Sequence, residues 1–279
     1  MRVLLSILVV MESQNALKVR DITRVLEVWA PPVLQESYDN SGLLVGDPDA
    51  KVTKVLVSLD CTEEVVAEAE QEGAEMIVSH HPIIFSGLKS LTGRSYVERT
   101  VLRAIKSGIA LYSIHTNLDN VITGVNQELA TALGCTSESL KILRPTVDED
   151  KNIGAGIIGV LPHPMKWEDF LDGAKTALNA SHIKHTKAPK EMLSRIAVCG
   201  GSGSFLLCDA LANNADVFVT SDFKYHEYFD ADGKILIADV GHYESEWRTS
   251  ALIANVIKHK FTKFAVRLAS VNTNPVQIR

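Results

Sequence analysis

The hydrophobic positions along the chain switch repeatedly between a helical and an extended period. Residues 18 to 29 put Val19, Ile22, Val25, Leu26 and Trp29 on one helical face, and Pro31 and Pro32 end that helix. Ser37-Tyr38-Asp39-Asn40-Ser41-Gly42 reads as a turn feeding the apolar Leu43-Leu44-Val45. Lys54 to Leu59 reads as a Val- and Leu-rich strand, and Thr62 caps a helix that runs to Glu72 and stops at Gly73. Ala74 to Ser79 is a buried strand, Val97 to Lys106 a helix, Ile109 to Ile114 another strand, and Val125 to Leu133 a helix closed by Gly134. Strands alternating with helices predict an α/β fold with a largely parallel sheet and helices on its faces.

The pattern also repeats. Val55-Leu56-Val57 recurs as Ile196-Ala197-Val198, and Ala74-Glu75-Met76-Ile77-Val78 recurs as Ala215-Asp216-Val217-Phe218-Val219, both at a displacement of 141 residues. Ile109 to Ile114 has a counterpart in Ile235 to Val240, and each of these is followed by a His and a helix. The chain therefore reads as two related α/β lobes, and the period is too long for a solenoid. The repeat makes Ser221-Asp222 the counterpart of His80-His81. Equivalent strand ends then face one cleft, where open α/β sheets place their sites.

Composition changes this picture little. The 279 residues suffice for one large domain or two lobes with cores, and 46% hydrophobic with 22% charged residues is ordinary soluble usage. A net charge of −6 gives no general attraction to nucleic acid or to an anionic membrane, so neither is expected as a partner. Cys61, Cys135, Cys199 and Cys208 form no CxxC pair, which argues against a zinc ribbon or disulfide scaffold and suits a reducing compartment. The expected location is cytoplasmic. Val3 to Val10 behind Arg2 mimics a short secretory segment, but it is too short to span a bilayer and Gln14 spoils the cleavage site near Ala16. With Met11 opening a conventional polar start, these residues read as an upstream start or an extension, with a genuine export signal as the alternative.

Chemistry concentrates at strand ends. His80 and His81 directly follow a buried strand, and Pro82 breaks the chain after them. Where the backbone turns, both rings can serve neighbouring metal ions, although a lone His in such a place is usually structural. His115-Thr116-Asn117-Leu118-Asp119 follows the next strand, and its four-residue gap puts His115 and Asp119 on one side of a helical curl. The structural alternative is that Asp119 caps the following turn. Gly241-His242-Tyr243-Glu244-Ser245-Glu246 follows the last repeated strand. His242 and Glu246 share a helical face from which Glu244 points away, so Glu246 is the preferred ligand. Three strand ends, each carrying a His, make a shared metal site far more credible than any one alone. His163, His182, His185 and His259 sit in polar or loop contexts, whereas His226 is a candidate for lining the cleft. Gly200-Gly201-Ser202-Gly203-Ser204 precedes a helix and offers amides for an anion, but a close-packed turn is the stronger reading. It matches neither a phosphate-binding P-loop nor a dinucleotide fingerprint.

Taken together, Ser37-Tyr38-Asp39-Asn40-Ser41-Gly42-Leu43, Ser79-His80-His81-Pro82, His115-Thr116-Asn117-Leu118-Asp119, Cys199-Gly200-Gly201-Ser202-Gly203 and Gly241-His242-Tyr243-Glu244-Ser245-Glu246 resemble the NIF-three-like family, whose members are also called GTP cyclohydrolase I type 2 homologs. The resemblance runs from about Lys18 to the Asn272-Thr273-Asn274-Pro275 tail. It implies two interlinked, internally duplicated α/β/α lobes with mixed, largely parallel sheets, a dinuclear metal centre between them, and toroidal homohexamers. The expected division is an extension over 1–12, a first lobe over 13–138 and a second over 139–279, with 236–260 returning to the shared cleft. By motif match the ligands of two divalent ions (Zn, Fe, Mn or Ni) fall on His80, His81, Asp119, His242 and Glu246, with His115 beside them. Two departures stand out. Longer members insert a domain after a segment like Ile142-Leu143-Arg144-Pro145, where this chain has only Thr146 to Asn152, and Ser221 replaces a frequent Gly in Thr220-Ser221-Asp222.

A two-metal site supplies hydroxide near neutral pH, so the expected activity is hydrolysis, with His115 as the catalytic proton shuttle; the resemblance implies a nucleotide or related substrate. Gly201, Ser202, Lys224 and His226 are the expected substrate contacts. The competing expectation is a non-catalytic metal-binding or metal-delivery protein, or a ring-shaped scaffold.

Overall fold

The computed structural model describes residues 17–147 and 150–279, so the apolar N-terminal stretch and the expected 1–12 extension lie outside the described residues. The first half of the chain contains α1 (Val19–Trp29), β1 (Gly42–Val45), β2 (Lys54–Ser58), α2 (Glu63–Glu72), β3 (Met76–Ser79), α3 (Tyr96–Lys106), β4 (Ala110–Ser113), α4 (Thr116–Asp119) and α5 (Val125–Ala132). The local chemistry sets these limits. Thr62 Oγ1 accepts the Val65 amide at the start of α2, and Gly73, at φ 65, closes its end in the left-handed region that costs other residues dear. The second half adds β5 (Lys141–Val147), β6 (Asp150–Lys166), α6 (Trp167–Leu178), β7 (Lys184–His185), β8 (Met192–Ser202), α7 (Leu207–Ala212), β9 (Val217–Ser221), β10 (Leu236–Asp239), α8 (His242–Glu246), α9 (Thr249–Lys260) and β11 (Ala265–Leu268). No helix among the described residues is long and apolar enough to cross a membrane.

The strands form two sheets, ordered β1-β4-β3-β2-β11 and β5-β6-β8-β9-β10-β7. The duplication read from sequence holds at the level of register. Val55 pairs with Met76 in the first sheet, and Ile196 pairs with Val217 in the second, both in parallel. Side-chain alternation repeats too. Val55, Val57, Met76 and Val78 share one core with α1 and α9, and Leu56, Ile77 and Leu111 share another with α2 and α3. Ile196, Val198, Val217 and Val219 face α5 and α6, whereas Ala197, Phe218 and Ile237 face α7. Each sheet is thus covered on both faces, which is why its central strands are nearly continuous apolar runs. The sheets are mixed: β1 is antiparallel to β4, and β5, β6 and β7 make antiparallel pairings at the two margins of the second sheet.

One expectation needs correction. The second lobe is not the continuous block 139–279, because β11 pairs in parallel with β2 and extends the first sheet. Ile253, Ala254 and Ile257 of α9 are buried in the same core as α1. Helix α5 is shared in a similar way, with Val125 in the first core and Leu129 and Ala130 in the second. The lobes are interlinked by these exchanged pieces, which bury apolar faces that neither half could cover alone.

Candidate metal centre

The ends of β3, β4 and β10 deliver the histidines. His80 and His81 leave β3 directly, His115 precedes α4, which ends in Asp119, and Gly241 (φ 94) turns the chain from β10 into α8, which carries His242 and Glu246. All six side chains meet. His81 Nε2 and His242 Nε2 lie 3.0 and 3.1 Å from Glu246 Oε2. His80 Nε2 lies 3.8 Å from the other oxygen, Glu246 Oε1, and 3.6 Å from Asp119 Oδ1. Donor atoms of His80, Asp119 and Glu246, of His81, His242 and Glu246, and of His80, His81 and His115 each fall within 4.8 Å of one another. Glu244 turns away and accepts a hydrogen bond from Asn274 Nδ2 at 3.0 Å.

Two atoms of the cluster are conspicuous. His80 Nε2 and Asp119 Oδ1 are buried without a hydrogen-bond partner. An orphaned buried polar atom costs about 1–3 kcal/mol, so two facing each other require a reason. A divalent cation supplies one, and the imidazole-carboxylate donor set suits it. The buried His/Glu groups can therefore hold metal.

Carboxylates behind the cluster fix its rings. His81 Nδ1 bonds Asp60 Oδ1 at 2.7 Å, His242 Nδ1 bonds Asp222 Oδ2 at 2.7 Å, and His115 Nδ1 bonds Asp39 Oδ1 at 2.8 Å. His80 Nδ1 uses the Ile114 carbonyl at 2.8 Å instead. Engaging Nδ1 leaves Nε2 to face the cluster, the usual way a ligating His is oriented. Burial disfavours a charged ring, yet Asp60 and Glu246 outweigh it and push His81 up to about 10, and Glu246 with Asp222 pushes His242 up to about 11. Burial and the Glu246 charge push Asp119 up, while Glu246 is held well below the ordinary range by His242, His80 and His81 against its burial. Asp39 stays low despite burial because His115 and Thr116 hydrogen-bond it. Asp39 and Asp60 escaped the sequence reading as site residues. The available signal was a carboxylate directly beside a strand end or inside the 37–42 turn.

Two cavities flank the cluster. One, of about 300 Å³, is lined by His115, Asp119, Cys199 and Ser202 with Tyr38, Phe85 and Phe205 around it. The other, of about 510 Å³, opens beside His81 and His242 and is walled by Asp60, Asp222, Tyr243 and the Asn274–Val276 tail. Of the expected substrate contacts, Ser202 lines the smaller cavity. Gly201 packs on the cluster instead: at φ +61, a Cβ there would collide with Glu246 Oε1. Its amide donates to Ser245 Oγ, and that of Gly200 donates to Asn126 Oδ1, both at 2.9 Å, so these two amides are committed to packing the turn. Lys224 and His226 line neither cavity. The chain turns at Asp222 (φ 61) and enters an exposed short 3-10 helix, where the Lys224 amide bonds Glu227 and His226 stacks on Phe229.

Comparison with known proteins agrees with this construction. The family model Duf34/NIF3 (NGG1p interacting factor 3) matches residues 17–275. A Clostridium perfringens protein named GTP cyclohydrolase 1 type 2 homolog is 35% identical over 247 residues, covering 88% of this chain and 92% of its own. The crystal structure of Staphylococcus aureus protein SA1388 superposes with a TM-score of 0.87 at 30% identity, covering 95% of this chain and 100% of that one. A Bacillus cereus protein related to NIF3 shares the fold, with a TM-score of 0.86 at 23% identity over 95% of this chain and 100% of its own. With the model matched over nearly the whole length and the motif residues gathered at one cleft, this chain belongs to the Duf34/NIF3 family.

Proposed function

We propose that the cluster is a dinuclear metal centre and that the protein is a metal-dependent hydrolase acting on a nucleotide or related heteroaromatic substrate. The observation that carries this is the Glu246 carboxylate, which turns one oxygen to His81 and His242 and the other toward His80, the neighbour of Asp119. His80, Asp119 and Glu246 would hold one ion, and His81, His242 and Glu246 the other. Zn, Fe, Mn and Ni all suit such donors. Two divalent ions bound there would supply hydroxide near neutral pH and offset negative charge developing on the substrate. The protein's own residues do the rest. His115, its Nδ1 held by Asp39, keeps Nε2 for moving a proton at the edge of the smaller cavity. Asp60 and Asp222 hold their rings in the ligating orientation. The name carried by the Clostridium relative supports a purine-like substrate. A toroidal homohexamer, to be checked by sedimentation, belongs to the same reading.

The test is elemental analysis of the purified, metal-reconstituted chain, followed by hydrolysis assays on nucleotides, esters and phosphoesters. Two ions per chain and a turnover lost in Asp119→Ala and His81→Ala are expected. A wild-type chain that retains no metal sinks the whole reading. One that holds metal yet is inert on every substrate class is a metal-binding or delivery protein instead.

A further inference from the structure

We infer that the smaller cavity receives an uncharged planar heteroaromatic ring, a nucleobase or nucleoside, and discriminates against the nucleoside triphosphate. This rests on the two-ion reading above and narrows its substrate class.

The first observation is the aromatic rim. Tyr38, Phe85 and Phe205 line the cavity and remain 63%, 49% and 53% exposed. The Tyr38 and Phe85 centroids are 6.3 Å apart, and Phe85 is 6.3 Å from His115, so rings extend from the mouth to the cluster. Flat apolar faces left in water beside a polar floor are the walls on which bases stack, whatever their sequence of substituents. The volume of about 300 Å³ sits at the low end for small-molecule sites. The Ser202 hydroxyl, which makes no hydrogen bond to a described residue, is available to a ring edge.

Charge is the second. No Lys or Arg lies among the described residues lining this cavity, and Glu36 does. Arg144 stacks over Phe205 from 4.8 Å and pairs with Asp209. In the larger cavity Lys184 is bound to Asp239 at 2.9 Å. Asp39, Asp60, Asp119, Asp222 and Glu246 surround the cluster, so even two divalent ions leave carboxylate charge in excess. The Gly200 and Gly201 amides are already donated within the fold and offer a phosphate nothing. A triphosphate therefore meets repulsion and no cradle, while a neutral ring meets neither obstacle.

Binding to the metal-reconstituted chain, measured by calorimetry at physiological salt, tests this with guanosine and adenosine against GTP and ATP. A nucleoside should bind roughly tenfold or more tightly than its triphosphate, and Tyr38→Ala and Phe85→Ala should each weaken it several-fold with metal content unchanged. Glu36→Gln should narrow the gap by admitting the triphosphate. A triphosphate that binds more tightly, nucleoside affinity indifferent to both aromatic substitutions, or no nucleoside binding at all overturns the inference. If metal content is intact in that case, the dinuclear reading survives; a chain that holds no metal fails both.

Discussion

The two halves share a framework of three central parallel strands, β2-β3-β4 in the first and β8-β9-β10 in the second, yet use their strand ends differently. After β3 the first half places His80 and His81, whereas after β9 the second places Ser221 and Asp222. Ser221 Oγ and Thr220 Oγ1 donate to the Gly201 carbonyl, at 2.6 and 3.1 Å, and so secure the turn that packs on Glu246. The second half contributes its metal donors one strand later, on α8. The burial differs accordingly: the His80 side chain is 0% exposed and that of His242 is 41% exposed. Duplication thus supplied matched geometry, while the side chains diverged: His80 of the first lobe is sealed in the fold, and His242 of the second opens to the larger cavity.

Substitutions can break this comparison or sharpen it. Glu246→Gln should have the largest effect, removing both ions, read as metal per chain by elemental analysis; retention of both would dismiss Glu246 as the shared ligand. His80→Ala and His242→Ala should each drop the stoichiometry by about one ion, and in wild-type protein the ion near His242 should exchange faster with added chelator. Asp60→Asn and Asp222→Asn should both weaken the same ion, the one His81, His242 and Glu246 would hold, about 10–100-fold in competition titrations, leaving the ion at His80 and Asp119 little changed.

Protonation offers a gentler probe. The pKa values of His81 and His242 are raised to about 10 and about 11 in the metal-free fold, so their stabilisation is fully present below the unfolded value near 6.5. It is lost as pH rises through the folded values. The urea midpoint of metal-free protein should therefore fall between pH 7 and pH 11, metal uptake at pH 7 should release protons, and His242→Gln should flatten the profile. The smallest effect compares α2 with its counterpart α7. Thr62→Ala should cost about 1 kcal/mol of unfolding free energy. The N-terminus of α7 has no side-chain cap to lose.

Much of this was legible in the sequence where the signal was local. The caps at Thr62 and Gly73, the apolar runs of β2, β3 and β4, and the displacement linking Val55 to Ile196 each rest on a few neighbouring residues. The histidine motifs were legible because each sits where an apolar run ends. Non-local choices were hidden. Nothing in Ala265-Val266-Arg267-Leu268 announces that it pairs with Lys54 to Val57 rather than with the second sheet. The partnership of Asp60 with His81 spans two strand ends and depends on side-chain direction. That Lys224 and His226 line neither cavity was hidden, because the left-handed turn at Asp222 sends the chain outward, a conformation that an Asp adopts without advertising it.

The pairing of β11 with β2 also bears on how the chain is made. Lys54 and Ala265 are partners, although about three-quarters of the chain separates them. During synthesis the first lobe emerges with one flank of β2 uncovered and with the place of α9 beside α1 empty. An open strand flank is a template for pairing with another chain, so the first sheet stays exposed to mispairing until β11 covers β2. Glu246, lying just before α9, also arrives late, so the cluster cannot be completed before the fold around it is nearly closed.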